Sequence, residues 1–333
     1  MNMKRLRSYV VLGMVLLLSN GLFVHSGWAA EWDILSFVSE KGGDSPVILM
    51  NTQGAILERL TTDPGKPSNF AWSPNGRSIA YDSWQGGNYD IYVMDVAANT
   101  HRQLTFDGNK DLGPAWSPNG KWIAFVSDRT GSANIYRMDA NGENVRQLTN
   151  REGCRRPAWS PDSQSIAFAS ESALYVMDAG GRQLRELTVS TRFSDCSWSP
   201  DGKQIAFISS AANGGWEVFG IDINGKNRRQ LTWSNQPVFI WDPVWSPSGK
   251  WIAYIVGPIQ AGGAGIINQI RTNGVVSVVN TIDGAGGKPI EATKGLPKQS
   301  LQWVPKQLLS VSASAEKQIT LWGALKQAEN ATR

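Results

Sequence analysis

The chain has 333 residues, 32 basic and 28 acidic side chains, and a formal net charge of +4. Lys4, Arg5 and Arg7 lie in an apolar leader without acidic residues. Removing them leaves 29 basic against 28 acidic groups, net +1, which is too balanced for the clustered positive field that nucleic-acid binding needs. Cofactor-scale metal chemistry through histidine is also disfavoured, because only His101 lies beyond the leader.

Residues 1–29 read as a secretory signal peptide. A basic start is followed by the mostly apolar run Tyr9 to Val24 and by Gly27-Trp28-Ala29. Ser19, Asn20 and Gly21 interrupt the run, which argues against a membrane anchor and for cleavage near Ala29. The expectation is an exported chain, periplasmic or secreted, with no stable membrane span after cleavage. About 304 residues remain, enough for one domain with a closed core.

From residue 30 to 305 a four-part pattern recurs with a period of roughly 40 residues. One copy reads Trp116-Ser117-Pro118-Asn119-Gly120, Ile123-Ala124-Phe125, Met138-Asp139 and Gln147-Leu148-Thr149, and the leading tryptophan returns at Trp72, Trp159, Trp198, Trp245 and Trp303. Proline, Asx and glycine make a tight turn after the first strand. The Ile-Ala-aromatic run is a buried second strand, the run ending in Met-Asp is a third, and the run ending in Gln-Leu-Thr is a fourth. Four short strands per repeat define a β-propeller blade, so the fold class is all-β. The leading segment (Ile34 to Ser39, Pro46 to Asn51, Ile56 to Thr61) lacks an inner strand, and Ser300 to Trp303 can supply it. Six blades with terminal strand closure follow. Seven blades, using Leu308 to Ser314 and Ile319 to Trp322, are the alternative. Residues 306–333 form a tail of unknown role.

Several residues invite a chemical reading. Asp139, Asn141 and Glu143 around Gly142 look like part of a calcium loop but lack its twelve-residue frame, so they read as a turn. Asp95, Asp139, Asp178 and Asp222 recur with Arg102, Arg146, Arg185 and Arg229, which reads as an ion pair within each blade. Cys154 and Cys196 could bridge or could be two separate thiols. No Gly-Xaa-Ser-Xaa-Gly elbow occurs, and no cofactor is implied.

Variable links between blades fall on one face, where binding is expected. The position three before each tryptophan is Asn69, Gly113, Arg156, Asp195, Asp242 and Ser300, and Asp111, Arg155 and Trp241 lie beside them. Asn69, Asp111, Arg155, Arg156, Asp195, Trp241 and Asp242 are therefore the candidate partner-binding residues, forming a mixed-sign polar rim suited to a peptide or protein. Trp84, Trp216, Trp233 and Phe239 belong to the same loops. Alanine at Arg156, Asp195 and Asp242 is expected to weaken capture without lowering the melting temperature.

These repeats resemble those of the TolB family of the Tol–Pal envelope system, from about Ile34 to Pro305. The resemblance implies a periplasmic propeller that binds envelope proteins without catalysis. Family members carry an α/β domain before the propeller, whereas here the repeats follow the leader directly. The reading is a monomeric scaffold. A carbohydrate-active or peptide-cleaving enzyme using Asp195 and Asp242, or a small-ligand sensor, stays open as an alternative.

Overall fold

The computed structural model describes residues 34–39, 46–51, 56–60, 67–85, 87–189, 193–212, 214–234, 238–258, 275–280, 286–289 and 298–305. The leader, the tail from residue 306 and the strands proposed for a seventh blade lie outside the described residues.

All regular structure among the described residues is β. The leading strands are β1 (Ile34–Ser39), β2 (Val47–Asn51) and β3 (Ile56–Leu60). Next come β4 (Pro67–Trp72), β5 (Ser78–Gln85), β6 (Asn88–Asp95) and β7 (Thr100–Gln103), then β8 (Asp111–Trp116), β9 (Trp122–Ser127), β10 (Asn134–Asp139) and β11 (Arg146–Gln147). A third repeat holds β12 (Cys154–Trp159), β13 (Ser165–Ser170), β14 (Ala173–Asp178) and β15 (Arg185–Val189). A fourth holds β16 (Phe193–Trp198), β17 (Gln204–Ser210), β18 (Trp216–Asp222) and β19 (Arg229–Gln230). The last strands are β20 (Val238–Trp245), β21 (Trp251–Pro258), β22 (Val275–Asn280), β23 (Gly286–Pro289) and β24 (Lys298–Trp303).

Each run of four from β4 to β23 forms one antiparallel sheet, and β24 joins β1, β2 and β3 in a further sheet with order β24-β1-β2-β3. In that sheet Leu35 faces Trp303 and Phe37 faces Leu301. The first and last described strands thus pair with each other, which removes an exposed sheet edge.

The sheets are wedged apart by the Ile-Ala-aromatic strands. Phe125, Phe168 and Phe207 are all but inaccessible, and each stacks on an aromatic of the neighbouring third strand, at 5.8 Å from Tyr136, 5.6 Å from Tyr175 and 5.8 Å from Phe219. Burying one such ring contributes about 1.5–3 kcal/mol. Apolar clusters bridge successive sheets. One joins Ile91 and Leu104 to Ile123 and Tyr136, another joins Ile135 to Phe168, and a third joins Leu174 to Phe207. The terminal sheet packs on both sides, through Leu35, Phe37 and Leu301 against Ile252 and Tyr254, and through Val38 and Val47 against Phe70 and Ile79.

Two motifs have clear local causes. In the turn after Trp72, Ser73 Oγ donates to Asn75 Oδ1 at 2.8 Å and accepts from Ser78 N at 2.9 Å, while Gly76 at φ +71° closes the turn. Asp162 and Asp201 fill the Asx place in later copies, and the hydroxyls of Ser160 and Ser199 hold their carboxyls below the usual range. In the Gln-Leu-Thr segments the threonine hydroxyl replaces a strand bond. Thr149 Oγ1 accepts from Ile135 N and donates to Asn134 Oδ1, both at 2.9 Å, and Gln147 Nε2 donates to Thr149 O at 2.7 Å. Thr105 and Thr232 make the same pair of contacts, with Asp90 and Glu217 as acceptors. Ala173 occupies the acceptor position beside β15, and there the outer strand pairs with β14 over five residues instead, with one register shift at Leu187.

The expected Asp–Arg tie within each blade is not how Arg102 and Arg185 are used. Arg102 Nη1 donates to Asn141 O at 2.8 Å and Arg185 Nη2 to Ile223 O at 2.6 Å, in both cases on the next sheet. Asp95 and Asp178 instead accept backbone N–H groups of their own turns. These arginines therefore tie sheet to sheet. Asp139, Asn141 and Glu143 form a turn as expected: Gly142 N donates to Asp139 O at 2.9 Å and Asn144 Nδ2 to Asp139 Oδ2 at 2.6 Å.

Candidate functional site

The inner strands β4, β8, β12, β16, β20 and β24 surround a channel of about 350 Å³. A register shift interrupts each of them at the same point, between Pro67 and Phe70, Leu112 and Ala115, Arg155 and Ala158, Phe193 and Cys196, and Trp241 and Val244, with a matching irregularity where β24 meets β1. Bulges re-aim side chains. Here they turn one residue per strand toward the channel: Asn69, Gly113, Arg156, Asp195, Asp242 and Ser300 all line it. The backbone carries the cost at Asp242 and Ser300, both at φ +52°, while glycine at 113 meets φ +61° without a Cβ penalty.

Arg156 is the hub. Its guanidinium donates to Asn69 Oδ1 and pairs with Asp242 Oδ1, and its Nε lies 3.6 Å from Asp195 Oδ1. Asp242 N donates to Asp195 Oδ2 at 3.3 Å, which ties the Asp195 carboxylate to the backbone of the neighbouring inner strand. Four sheets therefore meet on one side chain. Glycine at 113 makes room for it, because a Cβ there would lie 3.3 Å from Arg156 Cγ. Behind Asn69, the fully buried carboxylate of Asp82 accepts from Asn69 N at 2.8 Å, Asn69 Nδ2 at 2.5 Å and Gly113 N at 2.8 Å.

Of the seven residues singled out by sequence, Asn69, Arg156, Asp195 and Asp242 are brought together in the channel. The other three are placed elsewhere. Asp111 is fully buried and accepts from Arg129 Nη2 at 3.1 Å on both oxygens, so its carboxylate is committed inside the sheet. Burial pushes its pKa up, against the Ser127, Thr105 and Arg129 contacts that pull it down. Trp241 is 5 % exposed and packs in the core, 5.6 Å from Phe239, because strand alternation points it between sheets. Arg155 is exposed, but alternation turns it away from the channel lining. Of the loop aromatics, Trp84 and Trp233 are exposed at 51 % and 65 %, while Trp216 packs against Phe239 at 5.3 Å.

Sequence reasoning missed Asp82. The signal was present: the equivalent second-strand positions are Val38, Val126, Ala169, Ile208 and Ile255, all apolar and buried. Cys196 lines the channel, and burial together with the Asp195 charge pushes its thiol pKa well up. Cys154 lies in the core and is also pushed up by burial. Both cysteines are free, which decides against a bridge. His101 sits on β7 within 2.9 Å of Tyr81 Oη. Among the described residues no three His, Cys, Asp or Glu side chains converge as metal donors.

The fold and channel define a β-propeller with a polar, arginine-centred axial channel. The TolB beta propeller domain model matches residues 14–173 and 150–283, and the chain belongs to that family. Among solved structures, TolB from Acinetobacter baumannii is 24% identical with a TM-score of 0.67, over 82% of this chain and 66% of that one. The chain thus spans about two thirds of that relative's length. A protein assigned to TolB in Agrobacterium tumefaciens is 17% identical with a TM-score of 0.63, over 82% of this chain and 99% of that one. An oligogalacturonate lyase from Vibrio parahaemolyticus is 13% identical with a TM-score of 0.51, over 78% and 72% of the two chains. These likenesses show the shared fold. No curated protein matches the chain.

Proposed function

We propose that the protein is an exported, non-catalytic scaffold, a six-bladed ring whose channel mouth captures a protein or peptide partner, as the resemblance to TolB suggests. The observation that carries this reading is the commitment of both channel carboxylates to one guanidinium. Asp195 and Asp242 share Arg156, so ion pairing occupies the two carboxylates that acid–base chemistry in the channel would draw on. The parts of Arg156 and Asp195 left open to solvent, 29 % and 15 % of the two side chains, present both charge signs at the mouth, which peptide backbones and polar side chains can pair with. The apolar leader supports export to the periplasm or beyond. A mature charge near zero supports a protein partner over a polyanion. The scaffold is read as a monomer without a cofactor.

The test is capture from an envelope extract on the immobilised mature protein, followed by rebinding of each purified candidate. Arg156→Lys and Asp195→Asn should weaken rebinding at least about tenfold, a loss of ~1.4 kcal/mol. Unchanged rebinding by both variants would remove the channel mouth as the binding site. A second reading, a carbohydrate-active enzyme, draws on the lyase likeness. It would be promoted by turnover of an acidic oligosaccharide that Asp242→Asn abolishes.

A further inference from the structure

We propose that Asp82 is a positioning residue for the channel: acting through the Asn69 amide, it sets the pose of the Arg156 guanidinium. This rests on the reading of the channel mouth as a binding site. Asp82 occupies a place that is apolar in every other sheet, filled by Val38, Val126, Ala169, Ile208 or Ile255. A carboxylate at a fully buried position is costly unless its oxygens are satisfied. All five donors come from two inner strands. Ser68 N, Ser68 Oγ and Asn69 N reach Oδ1 at 3.2, 2.6 and 2.8 Å, and Asn69 Nδ2 and Gly113 N reach Oδ2 at 2.5 and 2.8 Å.

The consequence is directional. Asp82 is an acceptor only, so the Asn69 amide must turn its NH₂ toward it. The opposite end of that amide, Oδ1, is then aimed at the channel, where it accepts from Arg156. A single amide dipole is clamped between a buried anion and a cation, and neither neighbour tolerates the flipped orientation. Gly113, held by the same carboxylate oxygen as Asn69 Nδ2, leaves the space that Arg156 Cγ fills. Asp82 thus fixes both the partner and the clearance of the guanidinium without touching it.

The readout is the Arg156 side chain itself, followed by nitrogen-15 NMR and assigned with Arg156→Lys. In the wild type, a through-hydrogen-bond coupling between Asn69 Nδ2 and Asp82 Cγ is expected. In Asp82→Asn, which offers an N–H where Asn69 needs an acceptor, and in Asp82→Val, which copies the residue type of β9, exchange of the Arg156 Nη2 protons that Asn69 accepts should accelerate at least about tenfold as the pose is released. The double variant Asp82→Asn/Asn69→Asp restores an acceptor facing Arg156 and should recover most of the protection, which a purely structural role would not achieve. Exchange within about twofold of wild type in both single variants would overturn the proposal. If neither single variant folds, absence of the wild-type coupling overturns it equally. Arg156 ordering that depends on Asp82 while no partner is captured would retire the binding reading and leave this one standing.

Discussion

Arg156→Ala is the most informative single change, and the structure revises what the sequence suggests for it. Arg156 pairs with Asp242, whose side chain is 4 % exposed, and with Asp195 at 15 %, while its own is 29 % exposed. Removing one partner of a buried pair costs about 3–5 kcal/mol, because the remaining charge is left uncompensated. Solvent access on the arginine side screens part of this, toward the ~0–1 kcal/mol of surface pairs. An intermediate cost of about 2–3 kcal/mol follows. For a domain of this size that lowers Tm by roughly 3–6 °C. A thermal melt followed by circular dichroism at pH 7 measures it. The double variant Arg156→Ala/Asp242→Ala removes the stranded charge as well and should lose less than the sum of the singles, by about 1 kcal/mol or more. A Tm for Arg156→Ala within about 1 °C of wild type, or singles that simply add, would refute the picture of a cross-channel strut. For this residue the pairing geometry leads to a different expectation from that of rim substitutions that spare stability, and Arg156→Lys is therefore the better binding probe.

Other tests follow from local geometry. Gly181→Ala places a Cβ 2.6 Å from Leu148 O at φ +83°, so it should destabilise by more than the ~1–2 kcal/mol of left-handed backbone alone, whereas Gly131→Ala at φ +93° meets open space and should cost only that amount in chemical denaturation. Thr149→Val removes the hydroxyl that bridges Ile135 N and Asn134, costing about 1–3 kcal/mol, while Thr188→Val, beside Ala173, should stay within ~0.5 kcal/mol. The carboxyls of Asp162 and Asp201 lie below their ordinary range when folded, so their contribution is present above about pH 4 and is lost as pH falls through the folded values. Asp162→Asn/Asp201→Asn should therefore lower Tm at pH 6 and converge on wild type toward pH 2; a gap that persists in acid would contradict this. Native Cys196 should resist alkylation at pH 8, since burial pushes its thiol pKa up, and should react fully once unfolded.

The propeller was legible because its rules are local. A Trp-Ser-Pro-Asx-Gly turn and an Ile-Ala-aromatic strand state their dihedrals and burial within a dozen residues, and β24 could be assigned to β1 because the first segment visibly lacked an inner strand. The channel ring was legible too, since counting three back from each tryptophan lands on one bulge per strand. What failed needed contacts between distant segments. Asp111 meets its arginine eighteen residues later in sequence, at Arg129, and so turns inward. Trp241 alternates into the core one residue away from a channel position. The repeating Asp and Arg suggested one pair, but Arg102 and Arg185 serve the following sheet. Asp82 stood out only when the second strands were compared with each other, and its purpose required seeing Asn69 and Gly113 arrive from two inner strands.

The most direct test of the binding claim is site-specific photo-crosslinking in producing cells. A crosslinking amino acid at Arg155, which points away from the channel lining but is exposed one residue from Arg156 on β12 and so leaves the arginine contacts intact, is compared with one at Arg146, exposed on the outer strand β11. The account predicts a discrete protein adduct from position 155 that Asp195→Asn diminishes and position 146 does not form. Equal adduct patterns from the two positions, or none from 155, would contradict a partner seated at the channel mouth.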